Sequence, residues 1–117
     1  MAAMYFDLID KHAKSCTMQI LNNQRARIDA IDDQLIDLLS EREAIIREVA
    51  DIKAAQGIPA VLPDRVEEVR ERAAERAAER GMDAAFIRDL YQQLIDYSCD
   101  LEERLITGHR DNRSETG

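Results

Sequence analysis

The sequence predicts an all-α protein whose three-helix chains pair into a helical homodimer around a long first helix. Three observations lead there. Apolar residues recur at alternating spacings of three and four across residues 22–57, the period of an amphipathic helix rather than of a strand. The helix breakers fall in two short clusters, Gly57/Pro59/Pro63 and Gly81, which cut the chain into three long uninterrupted segments. Among 117 residues only five are aromatic and two are proline, a composition ill suited to a sandwich or barrel of many short strands.

The first helix is expected over 22–57, which contains no Pro and no Gly before Gly57. Its seam runs Ile28, Ile31, Leu35, Leu38, Arg42, Ile45, Val49, Ile52. A helix of this length spans about 54 Å, whereas a compact chain of this size is roughly 35 Å across. One chain cannot cover such a seam, so a second copy laid alongside is the simplest way to bury it.

IPAVLP, between the breakers, reads as an extended linker. A second helix follows from Asp64 to Arg80, with Gly81 as its stop. Its repeat ERAAERAAER favours helix, and the Ala side allows close packing while the charges form a solvated face. Asp83 is placed to N-cap a third helix to about Ile106, with apolar positions Ile87, Leu90, Tyr91, Leu94, Ile95, Leu101 and Leu105. Ser98 and Glu102 interrupt that stripe. Residues 1–21 are set apart as an N-terminal extension with room for a short extra helix, 22–107 form the helical domain, and 108–117 form a flexible tail.

A formal charge of −8 argues against general binding of nucleic acid or anionic membrane, both of which attract basic surfaces. Any anion bound here must be held by a local group of cations. Cys16 and Cys99 form no CxxC pair, and two His supply too few ligands for a zinc site, so no metal is expected and the thiols read as idle in a reducing compartment. No apolar run approaches the roughly 20 residues that span a bilayer, and MAAMYFDLIDKHAKSC is too polar for a signal peptide, so a cytoplasmic location is expected.

The seam contains cations. A guanidinium or ammonium taken from water without a partner is costly, so such groups are paired, exposed, or reserved for an anionic ligand. Arg42 lies on the seam and Lys53 follows 11 residues later, three helical turns on and within about 20° of the same direction. Arg25 lies near the seam's far end, about 25 Å from Arg42 along one helix, but in an antiparallel dimer it could reach the other chain's pocket. Taken singly, each could be a register device or a snorkelling side chain. Together with Arg65 after the linker and Ser98 and Glu102 on the third helix, they form a set of polar groups on apolar faces that converge only around a ligand.

RARIDAIDDQLIDLLSEREAIIREVADIK, GIPAVLPDRVEEV and GMDAAFIRDLYQQLIDYSCDLEERL, in this order, resemble the all-helical chorismate mutase family from residue 22 to about 106. The resemblance implies an intertwined dimer of three-helix chains in which each active site takes one arginine from the partner. It implies a cofactor-free, unimolecular [3,3] rearrangement of the dianion chorismate to prephenate. By position, Arg25 matches the arginine donated across the dimer, and Arg42 and Arg65 match those that bind the substrate's carboxylates. Lys53 matches the lysine at the ether oxygen, Ser98 a hydrogen-bonding position, and Glu102 a position held by Gln or Glu. The catalytic pair is thus expected to be Lys53 and Glu102. Arginine forks suit carboxylates, and a fixed ammonium stabilises the negative charge that grows as the C–O bond breaks. Glu102 can donate to that oxygen only when protonated.

Two positions depart from the family. Leu62 and Val66 stand where typical mutases carry an Asp and a Glu near the substrate's C4 hydroxyl, which leaves that group to backbone partners. RVEEVRERAAERAAERGMDAAFI also resembles the related isochorismate pyruvate lyases, although those generally have Gln in place of Glu102. A further relative rearranges 4-amino-4-deoxychorismate, whose ammonium would favour a carboxylate that Val66 does not provide. A non-catalytic helical interaction module is the remaining alternative, and it offers no reason for these cations at these spacings.

Overall fold

A computed structural model describes residues 15–116, all of them in three helices and their connections. Helix α1 is Ser15–Gln56, α2 is Pro63–Glu79 and α3 is Ala84–Thr116. Most of the N-terminal extension, the expected place of a short extra helix, lies outside the described residues, as does Gly117; the Cys16 side chain is likewise not described.

Two helix ends differ from expectation. The first helix begins at Ser15 rather than at 22, because 15–21 contains neither Pro nor Gly and nothing stops the pattern from extending backwards. The third helix runs through Gly108 to Thr116 rather than ending near Ile106. An isolated Gly costs a helix only about 1 kcal/mol relative to Ala, which does not end it.

The remaining boundaries follow local chemistry. Gly57 and Gly81 take positive φ, 70° and 74°, the left-handed turn that glycine enters without a Cβ penalty. Pro63 opens α2, where its missing N–H is one the first turn would leave unpaired, and Leu62 before it is extended. Asp83 caps α3, its Oδ1 accepting from the backbone N–H groups of Ala85 at 2.9 Å and Phe86 at 3.2 Å. Among the described residues no helix is long and apolar enough to cross a membrane.

The chain divides into two units, Met1–Ser40 and Glu41–Gly117. In the first, the seam residues Ile28, Ile31, Leu35 and Leu38 are all more than half exposed. In the second, α2 packs on α3. The short Ala face of ERAAERAAER lets the backbones approach, with Ala74 and Ala77 buried, and Ile87, Ile95, Leu101 and Ile106 of α3 supply the larger buried side chains. The opposite face of the repeat is charged and wet, and Glu71 accepts from Arg88 across the helix pair at 2.9 Å.

The end of α1 is tied to α3 by polar contacts: Tyr97 Oη donates to Glu43 Oε1 at 2.6 Å, and His109 Nε2 lies 2.9 Å from Asp51 Oδ1. The Tyr97 hydrogen bond holds the Glu43 carboxyl below its ordinary range, and the same bond holds the Tyr97 phenol above its own. A carboxylate whose pKa is lowered on folding stabilises the fold above its unfolded value and loses that contribution as pH falls through the folded value. Tyr97→Phe should therefore lower the urea midpoint at neutral pH, and the difference from wild type should vanish once Glu43 is protonated in acid. A difference unchanged over that range would show that the pair contributes nothing through ionisation.

Candidate functional site

A cavity of about 440 Å³ opens within the Glu41–Gly117 unit, of a size with ordinary small-molecule sites. Each helix contributes one face, and the spacing explains which side chains arrive. On α1 the lining positions are Arg42, Ile45, Ile46, Val49 and Lys53. On α2 they are Arg65, Val66, Val69, Arg72 and Ala73, and on α3 Tyr91, Ile95, Ser98, Cys99 and Glu102. Each set is built on steps of three or four residues, widened in places by an adjacent residue such as Ile46, Val66 or Cys99, the signature of a single helical stripe. Ala60 and Leu62 of the linker also line the cavity.

The polar groups are specifically arranged. Arg42 donates through Nη1 to Ser98 Oγ at 2.8 Å, which fixes the guanidinium against α3. Lys53 Nζ donates to the Ala60 carbonyl at 2.7 Å and lies 2.7 Å from Glu102 Oε1. Both side chains of this ion pair are largely withdrawn from water, at 12% exposure for Lys53 and 6% for Glu102. Glu102 Oε1 is buried and, although within ion-pair distance of the ammonium, lacks the geometry of a hydrogen bond. Its hydrogen-bonding capacity is left unused, a condition buried oxygens rarely tolerate.

Counting charges on the wall, Arg42, Lys53, Arg65 and Arg72 stand against the single carboxylate Glu102. In a chain of formal charge −8, this local excess of cations among aliphatic side chains has the chemistry to accept an anion with an apolar body. Cys99 offers no rival nucleophile. Burial first, then the neighbouring Glu102, pushes its thiol above the ordinary range, so it stays protonated near neutral pH.

Of the residues singled out from sequence, the structure brings Arg42, Lys53, Arg65, Ser98 and Glu102 to one cavity. Arg65 is well exposed and pairs with Glu68 one turn later on α2. Arg25 belongs to the Met1–Ser40 unit, where it is half-buried. Leu62 and Val66, the two apolar departures, do line the cavity. Sequence reasoning missed two contributors. Arg72 was hidden in the charged repeat, although its place seven residues after Arg65 puts both on one face. The Ala60 carbonyl is a backbone group set by the bend of the linker, which no side-chain pattern reports.

Comparison with known proteins agrees with this geometry. Residues 24–103 match the family described as chorismate mutase type II. A 4-amino-4-deoxychorismate mutase from Streptomyces pristinaespiralis is 37% identical over 86 residues, covering 74% of this chain and 67% of the relative. Another 4-amino-4-deoxychorismate mutase, from Streptomyces venezuelae, is 34% identical over 87 residues, 74% of this chain and 84% of the relative. A chorismate mutase from Methanocaldococcus jannaschii is 29% identical over 82 residues, 70% and 83% of the two chains. The reading as a non-catalytic module is thereby set aside: with the match running from the first helix to the third, the chain is a chorismate mutase-type enzyme and belongs to the chorismate mutase type II family.

Proposed function

We propose that the cavity binds chorismate and converts it to prephenate by a cofactor-free [3,3] rearrangement. The reaction breaks the ether C–O bond as a C–C bond forms between the enolpyruvyl methylene and the ring, with no atom gained or lost. Its demands are to hold a flexible dianion folded and to stabilise charge on the departing oxygen. In this reading Arg42 and Arg65 bind the carboxylates, Ser98 orients Arg42 and can reach substrate, and Lys53 faces the ether oxygen. The observation that carries the reading is the Lys53 ammonium, held by the Ala60 carbonyl inside an apolar cavity with Arg42 fixed nearby.

Glu102 has two states in this scheme. Ionised, it neutralises Lys53, as in the ion pair described above. Protonated, it releases the full lysine charge and becomes a donor to the same oxygen.

The site is read as shared between two chains, with Arg25 supplied by the partner. The exposed seam of Ile28, Ile31, Leu35 and Leu38 supports this, since a contiguous apolar face on a long helix is stably accommodated against a second copy. A second substrate reading, 4-amino-4-deoxychorismate, is favoured by the names of the two Streptomyces relatives. The wall argues the other way. Leu62 and Val66 offer no carboxylate to an ammonium at C4, and leaving a charge without a partner costs more than leaving a hydroxyl without one.

Incubating purified protein with chorismate, 4-amino-4-deoxychorismate and isochorismate in parallel should give prephenate from the first with the highest kcat/KM. Preferred turnover of the amine would establish the second reading, and pyruvate release from isochorismate alone would overturn both. Lys53→Ala should lower kcat by about 10²- to 10³-fold, the usual loss when a group stabilising a developing oxyanion is removed. Glu102→Gln, which keeps a hydrogen-bond donor at this place while removing the carboxylate that faces Lys53, should retain more activity than Glu102→Ala; an equal loss in both would remove Glu102 from the mechanism.

A further inference from the structure

Arg72 is the cation on the cavity wall that neither the expected roles nor the structure's own contacts employ. Arg42 is bound to Ser98, Lys53 to Ala60 and Glu102, and Arg65 to Glu68. Elsewhere on the α2–α3 surface, Arg70 and Arg88 are engaged by Glu71. Arg72 makes no hydrogen bond or ion pair with the described residues, although Glu71 and Glu75 flank it in sequence. It is exposed yet lines the cavity, which places it at the rim with its guanidinium free to meet whatever enters. On α2 it stands two turns, about 10 Å, beyond Arg65 on the same face, with Val69 between them.

A chain of formal charge −8 repels a dianion at long range. Capture therefore needs a local reversal of sign at the entrance, and a free guanidinium there supplies it. We infer that Arg72 is a recruiting residue: it draws the dicarboxylate substrate to the cavity mouth and passes it inward to Arg42 and Lys53. This rests on the functional reading above and adds to it a residue with a role in capture rather than in the bond-breaking step. An exposed charge acts through solvent, so its contribution is largest at low ionic strength and fades when the Debye length shrinks to about 3 Å near 1 M salt. A carboxylate-binding arginine deep in the cavity would be far less sensitive to salt.

The test uses the full-length protein and a stable bicyclic ether dicarboxylate, shaped like the rearranging substrate, as the probe in titration calorimetry. Steady-state kinetics with the substrate that the wild type turns over run alongside. At low ionic strength, R72Q should bind the probe about five- to tenfold more weakly than wild type, with kcat/KM reduced to match and the loss carried by KM rather than kcat. The two proteins should converge at high salt, and R72K, which keeps the charge, should behave close to wild type. Circular dichroism and thermal melting of R72Q should match wild type, since the side chain is exposed. Equal affinities at low salt, a defect that persists at high salt, or an R72K as weak as R72Q would each overturn the inference while leaving the functional reading in place. A wild type that does not bind the probe would overturn that reading and this role with it.

Discussion

The arrangement depends on one charged nitrogen kept out of water. Lys53 Nζ is held between the Ala60 carbonyl and the Glu102 carboxylate, 2.7 Å from each, with little access to solvent. An ammonium in such a place is stable only with compensation, and breaking a buried pair by deleting one partner typically costs about 3–5 kcal/mol. Each of the three segments has a part in meeting that need. The last turns of α1 present the lysine, the turn at Gly57 brings the linker carbonyl to it, and α3 carries the carboxylate. The fold of the Glu41–Gly117 unit and the chemistry of its cavity thus rest on the same contact.

That contact also explains why the neighbouring wall can be so apolar. With the charge of Lys53 balanced by Glu102 and Arg42 set against Ser98, much of the remaining lining is free to be apolar, as at Val49, Val66, Val69 and Ile95. Apolar walls lower the local dielectric and make each remaining charge more effective on a ligand than it would be in water. They also restrict what can be bound, because a polar substituent pointing at Leu62 and Val66 finds no side-chain partner. On the proposed reading, substrate preference and catalytic power come from the same exclusion of polar groups, so a polar substitution on this wall would alter both.

Much of this was legible in the sequence, for physical reasons. The helices show themselves because a 3.6-residue period leaves a stripe, and their ends because Gly57, Gly81, Pro63 and Asp83 each do something local that few other residues can do. Arg42, Lys53, Ser98 and Glu102 stood out because a polar group in an apolar stripe is costly unless it is used. The ends at Ser15 and Thr116 were not legible, since helices stop by fraying or by tertiary context where no breaker intervenes. Arg72 escaped notice because a charge within a run of charges carries no contrast, and the Ala60 carbonyl because backbone geometry leaves no mark on residue identity. Spacing along either helix left open whether Lys53 and Glu102 pair directly, which is decided by how the two helices meet.

The central claim is that cations from two chains surround one small dianion. It is tested most directly by mixing two inactive variants, Arg25→Ala and Lys53→Ala, after unfolding and refolding them together in equal amounts. If each site combines Lys53 of one chain with Arg25 of its partner, half of the dimers are mixed and half of their sites are intact, so the mixture should recover about a quarter of wild-type activity. A mixture no more active than either variant refolded alone would contradict the shared site.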